Sequence, residues 1–237
     1  MNAGAGAPPT VRALVFDVFG TVVDWRSSIA REVARLGLPV DPEAFADAWR
    51  AGYLPAMQEV RSGALPWTSV DGLHRRILDR LLAERGIELA AGVAAELNRA
   101  WHRLAPWPDS TAGLARLRRR YLVSTLSNGN VALLVALSRH AGLLWDCVLS
   151  AELFEHYKPD PEVYLGAARL LDLPPARVMM VAAHADDLRA ARACGLATAH
   201  VARPAEFGAG RTPPAVDDDE FDVHAADFVE LADRLGA

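Results

Sequence analysis

The 237-residue sequence lacks the features that mark several large classes of protein. Its two cysteines, Cys147 and Cys194, lie in apolar stretches and are too few for a disulfide framework or a metal cluster. No apolar run reaches the roughly 18 residues that a membrane span needs. With 25 basic and 30 acidic residues the net charge is −5, which argues against a nucleic-acid or polybasic membrane surface. We therefore expect neither nucleic acid nor membrane as a partner.

Lysine is even scarcer than cysteine, because Lys158 is the only lysine among the 25 basic residues. A chain that uses arginine at almost every cationic position has one place where it uses lysine. The first ten residues lack the basic and apolar parts of a signal peptide and resemble a loose leader. Together with the low cysteine content, this leads us to expect a cytoplasmic protein.

Short apolar runs predict the strands of a parallel sheet. The first run, residues 11–17, ends in a carboxylate, and the next comes about a hundred residues later. From there β-type runs alternate with amphipathic helices, which is typical of βαβ units. The predicted later strands are residues 121–126, 147–150, 178–181 and 197–201. A stretch rich in glycine, proline and aspartate, residues 205–220, predicts a surface loop.

The residues between the first two strands show helical periodicity instead. The predicted helices are residues 27–36, 42–60, 69–85 and 90–103. We therefore predict an α/β fold, in which a Rossmann-like parallel sheet flanked by helices comprises residues 1–25 and 106–237. A helical cap domain, residues 26–105, is inserted after the first strand.

Polar side chains follow the strands at their carboxyl ends, where open parallel sheets bind their ligands. These side chains are Asp17, Ser127, Asn128, Lys158, His184 and Asp187. A carboxylate, a hydroxyl, a lysine and an acidic cluster are thus expected to meet in one crevice. The position alone predicts a functional site.

Four segments at these strand ends resemble the motifs of the haloacid dehalogenase superfamily, which consists mainly of hydrolases with an aspartate nucleophile. In chain order they are Asp17-Val18-Phe19-Gly20-Thr21, Leu126-Ser127-Asn128-Gly129, Tyr157-Lys158-Pro159-Asp160 and Asp187-Leu188-Arg189-Ala190-Ala191. The resemblance extends from Val11 to the end of the chain. It implies the superfamily's core, with the cap between the first two core strands.

Two positions distinguish this chain from the magnesium phosphohydrolases of the superfamily. Phe19 stands where those enzymes carry an aspartate that protonates the leaving group, and Ala183 stands where they carry a metal-ligating aspartate. Loss of a hard oxygen ligand disfavours Mg²⁺. The chain is most similar to the type II L-2-haloacid dehalogenases, which implies no metal and no cofactor. A phosphohydrolase with an atypical Mg²⁺ site and a catalytically silent binding protein are the alternatives.

The resemblance implies a catalytic role for several residues. Asp17 would attack C2 of a short 2-haloalkanoic acid in an SN2 step, with Thr21 as its hydrogen-bond donor. Lys158 would keep Asp17 ionised, and Arg50 would receive the halide. Water would then hydrolyse the aspartyl ester and release a 2-hydroxy acid of opposite configuration.

The same resemblance implies a substrate pocket. Ser127 and Asn128 would hold the substrate carboxylate, and the apolar Phe19 would exclude water. The other residues predicted to contact the substrate are Val18, Tyr53, Leu54 and Met57. The substrate and halide are then small molecules, and related enzymes lead us to expect a homodimer.

His184 is the main departure from the family pattern, since type II enzymes often carry Ser and Asn where this chain has Ala182 and His184. Imidazole titrates near neutral pH, so His184 is a candidate general base for the hydrolytic water or a hydrogen-bond donor to a departing fluoride. Asp187 would orient His184 or the water. The alternative of a loop histidine without a catalytic part stays open, as does the preference among halogens, with fluoroacetate included among the candidate substrates.

Overall fold

The computed structural model describes residues 11–211, 214–217 and 219–237. The expected leader, residues 1–10, lies outside the described residues. The strands in chain order are β1 (Ala13–Phe16), β2 (Val23–Asp24), β3 (Ala105–Pro106), β4 (Leu122–Ser127), β5 (Cys147–Ser150), β6 (Val178–Ala182), β7 (Ala197–Val201) and β8 (Val223–Ala225). Six of them form a parallel sheet in the order β5-β4-β1-β6-β7-β8. The predicted parallel α/β sheet is confirmed, and β8 extends it by a strand that was not predicted.

The first five helices all lie between β2 and β3 in the sequence. They are α1 (Trp25–Arg35), α2 (Pro42–Ala51), α3 (Tyr53–Arg61), α4 (Val70–Glu84) and α5 (Ala91–Asn98), followed by a 3₁₀ turn at Arg99–Arg103. Because β2 pairs antiparallel with β3, the chain enters and leaves this helical segment at one place. The predicted cap boundaries, residues 26 and 105, fall beside this pair.

A bend between α2 and α3 replaces the single helix predicted at residues 42–60. Pro55 has no N–H to donate in the first turn of α3. Gly52 lies at the bend, where a Cβ would approach Cγ2 of Ile77 to 2.5 Å. The bend therefore needs both a proline and a glycine, and it brings Arg50 and Tyr53 to the same cavity.

Helices cover both faces of the sheet. The remaining ones are α6 (Ser110–Leu117), α7 (Val131–Ala141), α8 (Pro161–Leu170), α9 (Ala185–Ala193) and α10 (Phe228–Arg234). Along β1, Leu14 and Phe16 enter one hydrophobic cluster while Ala13 and Val15 enter another. Burial on both faces explains why β1 is a continuous apolar run. Among the described residues, no helix combines the length and the apolar character that crossing a membrane requires.

The predicted surface loop, residues 205–220, is not wholly at the surface, because Glu206 is buried, as is Arg203 just before it. Arg203 donates from Nε to the carbonyl oxygen of Thr21 at 2.8 Å. Its other two nitrogens each lie 2.8 Å from a carboxylate oxygen of Asp109. This double ion pair fixes the start of the segment against the turn that follows β1.

Candidate active site

Asp17 lies directly after β1, and a donor contacts each of its carboxylate oxygens. Thr21 donates from Oγ1 to Oδ2 at 2.8 Å, and Nδ1 of His184 lies 3.2 Å from the same oxygen. Lys158 donates from Nζ to Oδ1 at 3.0 Å. Burial alone would raise the pKa of Asp17, but Lys158, His184 and Thr21 hold it well below its usual value. Asp17 is therefore an oriented, ionised carboxylate.

The single lysine of the chain is buried between two carboxylates. Nζ of Lys158 contacts both Asp17 and Asp187, and Tyr164 donates from its hydroxyl to the other oxygen of Asp187 at 2.5 Å. Burial would lower the pKa of Lys158, but the two carboxylates raise it above its usual value. The backbone N–H of Lys158 donates to Oδ1 of Asn128 at 2.6 Å, so Asn128 positions the loop that carries the lysine.

His184 bridges Asp17 and a second carboxylate, that of Glu206. Its Nε2 lies 3.0 Å from each oxygen of Glu206, which also accepts a hydrogen bond from Nε1 of Trp25 at 3.0 Å. Burial would lower the pKa of His184, but its two carboxylate partners raise it to about 10. Both ring nitrogens are therefore donors at neutral pH while Asp17 is ionised, and the role of His184 as a general base stays a prediction.

A cavity of about 300 Å³ opens between these residues and the cap. The predicted residues that line it are Asp17, Phe19, Arg50, Tyr53, Leu54, Met57, Ser127, Asn128, Lys158, His184 and Asp187. The guanidinium of Arg50 lies 4.6 Å from the ring centre of Tyr53 and 5.8 Å from that of Trp25. No carboxylate of the described chain forms an ion pair with Arg50, so its charge is free for an anion in the cavity.

Ser127 and Thr21 differ in how they reach the cavity. The buried Ser127 accepts the Gly129 N–H at 3.2 Å, which leaves its own proton for a ligand. Thr21 lies behind Asp17, where its hydroxyl also accepts the Ala183 N–H at 3.0 Å. Thr21 therefore fixes the carboxylate without lining the cavity.

The predicted contact of Val18 with substrate is wrong for its side chain, which is fully buried and does not line the cavity. Its carbonyl oxygen accepts the N–H groups of Val22 at 2.9 Å and Val23 at 3.2 Å. Those bonds close the turn that returns Thr21 to Asp17. Val18 is thus part of the support for the site.

Two residues of the site were not predicted. Tyr164 lines the cavity and contacts Asp187, but an aromatic residue in an amphipathic helix is indistinguishable from a core residue by pattern. Glu206 follows a proline-containing loop, and its contact with His184 depends on how that loop packs. Asp187 contacts Lys158 and Tyr164 but not His184, so the predicted orientation of His184 by Asp187 is replaced by Glu206.

The chain matches the family model of haloacid dehalogenase-like hydrolases over residues 11–195. It therefore belongs to this family of hydrolases. A curated relative, the (S)-2-haloacid dehalogenase of Xanthobacter autotrophicus, is 31% identical over 198 residues, which cover 81% of this chain and 76% of the relative.

Two solved structures are similar over nearly the whole chain. An L-2-haloacid dehalogenase is 49% identical with a TM-score of 0.91, covering 95% of this chain and 99% of that one. A defluorinating L-2-haloacid dehalogenase is 45% identical with a TM-score of 0.93, covering 98% and 99%. The haloacid dehalogenase-like fold predicted from the motifs is thereby confirmed.

Proposed function

We propose that the chain catalyses the hydrolytic dehalogenation of short (S)-2-haloalkanoic acids to 2-hydroxy acids of opposite configuration. One observation carries this proposal: the ionised Asp17 shares a small cavity with Arg50, a cation that has no carboxylate partner among the described residues. A nucleophile and an anion receptor are what displacement of a halide requires. Similarity to (S)-2- and L-2-haloacid dehalogenases supports the same substrate class.

In the first step Oδ1 of Asp17 attacks C2 of the substrate. We assign Oδ1 because Oδ2 already faces two donors, Thr21 and His184, while Oδ1 has one. A C2–Oδ1 bond forms as the carbon–halogen bond breaks, and the halide leaves toward Arg50 with both bonding electrons. No proton accompanies the halide, so Phe19 needs no acid function, and its ring excludes water from the charged groups.

The substrate carboxylate lies against Ser127 and Asn128 in this proposal. The Ser127 hydroxyl has a proton to donate. The Asn128 amide nitrogen makes long contacts, 3.4 Å to the Lys158 carbonyl oxygen and 3.7 Å to the Met57 sulfur, and it also interacts with the Tyr53 hydroxyl. Both groups are therefore available to fix the carboxylate and direct C2 toward Asp17.

In the second step water attacks Cγ of the Asp17 ester. The Cγ–Oδ1 bond breaks, so the hydroxyl oxygen of the product comes from Asp17, and the new carboxylate oxygen comes from water. Negative charge develops on Oδ2 in the tetrahedral intermediate, where Thr21 already donates. Lys158 and Thr21 thus retain Asp17 in place through both steps.

Fluoroacetate is included among the proposed substrates. The cavity of about 300 Å³ has room for a two- or three-carbon acid. A similar solved structure, 45% identical over 98% of this chain, is that of a defluorinating enzyme. Fluoride is a poor leaving group that gains from hydrogen-bond donors, and Arg50 supplies several.

Halide release from chloroacetate, fluoroacetate and L-2-chloropropionate, measured with EDTA present, tests the proposal. We expect release from all three, with Asp17→Asn as the inactive control. In ¹⁸O water, the first turnover should label Asp17 and leave the product unlabelled. No halide from any acid, together with Mg²⁺-dependent phosphate release from a phosphomonoester, would establish the phosphohydrolase alternative instead.

A further inference from the structure

We propose that Glu206 positions His184 so that one imidazole serves as a donor to the free Asp17 and as the base for hydrolysis of the Asp17 ester. This inference rests on the proposed function. It assigns Glu206 to positioning, because its carboxylate acts through His184 and does not line the substrate cavity.

Glu206 is held firmly in its place. It is 2% exposed, and it accepts hydrogen bonds from Trp25 and His184. A Cβ on Gly20 would lie 2.1 Å from Oε1 of Glu206, so the turn after β1 needs a glycine, with a φ of +85°, to admit this carboxylate. The backbone N–H of Glu206 donates to the carbonyl oxygen of Arg203 at 3.1 Å. These contacts orient the carboxylate toward His184.

Glu206 decides which nitrogen of His184 faces Asp17. A carboxylate accepts and cannot donate, so Nε2 of His184 keeps a proton as long as Glu206 is ionised. Nδ1, 3.2 Å from Asp17, is then the nitrogen that can lose its proton and regain it. The pairing fixes both the tautomer and the orientation of the ring.

His184 has other charged and titratable groups on both sides, and Lys158 and Asp187 share the substrate cavity with it. A second cavity, of about 380 Å³, borders the histidine on the opposite side, and its charged or titratable lining residues are Asp186, Arg189, His200, Arg203 and Glu206. Asp186 and Arg189 pair with each other, and Arg203 pairs with Asp109. Burial and the neighbouring His224 lower the pKa of His200. Asp17 and Glu206 are therefore the two groups that decide the protonation of His184.

The first chemical step changes one of those two groups. Esterification converts the Asp17 carboxylate to a neutral ester, while Glu206 keeps its charge. Half of the anionic surroundings that favour the imidazolium are lost, so the pKa of His184 falls back toward its usual value. The Nδ1 proton then leaves to bulk water. A base thus arises beside the ester only after the halide has departed.

The hydrolytic step then balances with His184 as its base. Nδ1 accepts a proton from the attacking water as the water oxygen bonds to Cγ of the ester. When the Cγ–Oδ1 bond breaks, Lys158, whose Nζ lies 3.0 Å from Oδ1, gives a proton to the departing alkoxide. The carboxylic acid left on Asp17 returns a proton to Lys158, which restores the carboxylate and the ammonium, while His184 keeps the proton from water as the imidazolium. Each cycle consumes one water and releases one proton and one halide.

Single-turnover kinetics of Glu206→Gln test the assignment, with the halide and the hydroxy acid followed separately after rapid quenching. We expect the halide to appear at nearly the wild-type rate, while the hydroxy acid forms about 10²- to 10⁴-fold more slowly, the usual contribution of general acid–base catalysis. The Asp17 ester then accumulates and is detected by mass spectrometry. Glu220→Gln removes a glutamate that pairs with Arg189 on the exposed side, and both steps should keep their rates.

A merely structural role for Glu206 would give a different pattern. If Glu206 positions His184, its loss shifts the pH profile of ester hydrolysis toward lower pH, and Glu206→Asp restores part of the rate. The double variant with His184→Gln should be no slower than the slower single variant, because residues that act as a unit are not additive. Additive losses with an unshifted pH profile would overturn the inference.

The outcomes also separate this inference from the proposed function. No halide from the wild-type chain overturns both. Halide release from the wild type, with equal losses in both steps of Glu206→Gln or with no loss of hydrolysis, overturns the role of Glu206 alone. If Glu206→Gln does not fold, Glu206→Asp and His184→Gln decide: an unslowed hydrolysis step in both contradicts the inference.

Discussion

The two walls of the cavity differ in how their charges are satisfied. On the sheet side, Asp17, Lys158, Asp187, His184 and Glu206 form one continuous chain of contacts. On the cap side, the only charged group lining the cavity among the described residues is a guanidinium, which lies on aromatic rings and has no carboxylate partner. The charged groups of the sheet-side wall are paired with one another, whereas the guanidinium of Arg50 on the cap side can bind an anion.

This difference separates two tasks. A paired network holds its members in fixed geometry, which suits a nucleophile that must point at one carbon atom. An unpaired cation on the faces of Trp25 and Tyr53 is stabilised without losing its charge, which suits transient binding of a halide. The comparison predicts that changes in the cap wall affect halide release, while changes at Glu206 and His184 affect ester hydrolysis.

The largest expected effect is that of Asp17→Asn on the sheet side. A neutral amide cannot form the ester, so turnover should fall by about 10⁴-fold or more. Halide release measures the loss, and mass spectrometry should detect no adduct. Asp172→Asn, at an exposed position outside the cavity, is the matched control and should stay active. Near-normal turnover of the Asp17→Asn variant would show that Asp17 is not the nucleophile.

Lys158→Arg tests how tightly the paired wall is built. The substitution keeps the charge but puts a broad, planar group where the ammonium contacts Asp17 and Asp187. Since Lys158 is 8% exposed, the larger group must displace its neighbours. A displacement near 1 Å costs about 10²-fold or more in turnover. Steady-state kinetics check this, with Arg35→Lys on the surface as the control, and unchanged turnover would show that charge alone matters.

Arg50→Met tests the cap wall. The methionine keeps apolar contact with Tyr53 and Trp25 but removes the cation. We expect the first step to slow by about 10²-fold, which is the lower range for loss of one charge-stabilising group, while hydrolysis of the ester keeps its rate. Rapid-quench measurement of halide and hydroxy acid separates the steps. A slowed second step would contradict the division of tasks between the walls.

Much of the paired wall could be predicted because its members follow strands. Asp17 directly follows β1, Ser127 ends β4, and Lys158 and Asp187 lie in the segments that follow β5 and β6. Parallel strands bring these carboxyl ends to one edge of the sheet. The same regularity predicted the sheet itself. The sequence pattern is sufficient to predict a site residue where the geometry of the parallel strands alone determines its position.

The rest depends on packing between distant segments. Glu206 reaches His184 only because the segment after β7 is fixed against the turn after β1 by Arg203, and no periodicity encodes that contact. The bend at Gly52 depends on the approach of Ile77 from another helix. Gly52 and Pro55 weaken a continuous helix locally, and the contact with Ile77 determines where the chain bends.

The smallest effect concerns stability and its dependence on pH. The pKa of His184 is raised from an ordinary value of about 6.5 to about 10, so the folded state binds the proton more tightly than the unfolded chain. The stabilisation is therefore complete below about pH 6.5 and is lost as pH rises through about 10. We expect His184→Gln to lose about 1 kcal/mol at pH 6 relative to the wild type, as befits a partly exposed charged hydrogen bond, and less at pH 10.

Urea unfolding of both proteins at several pH values measures this difference, since groups that titrate equally in both cancel. Arg50→Met supplies the contrast from the cap wall. Arg50 forms no ion pair with a described carboxylate, but its charge lowers the pKa of the buried His74 and acts on that of Tyr53. Its removal should therefore change stability by the same amount at each pH between about 7.5 and 9, where neither of those groups changes its charge. A pH-independent difference for His184→Gln would mean that the imidazolium is not held by its two carboxylates. The difference between the two walls would then be one of contact distances, without a difference in how strongly their charges are stabilised.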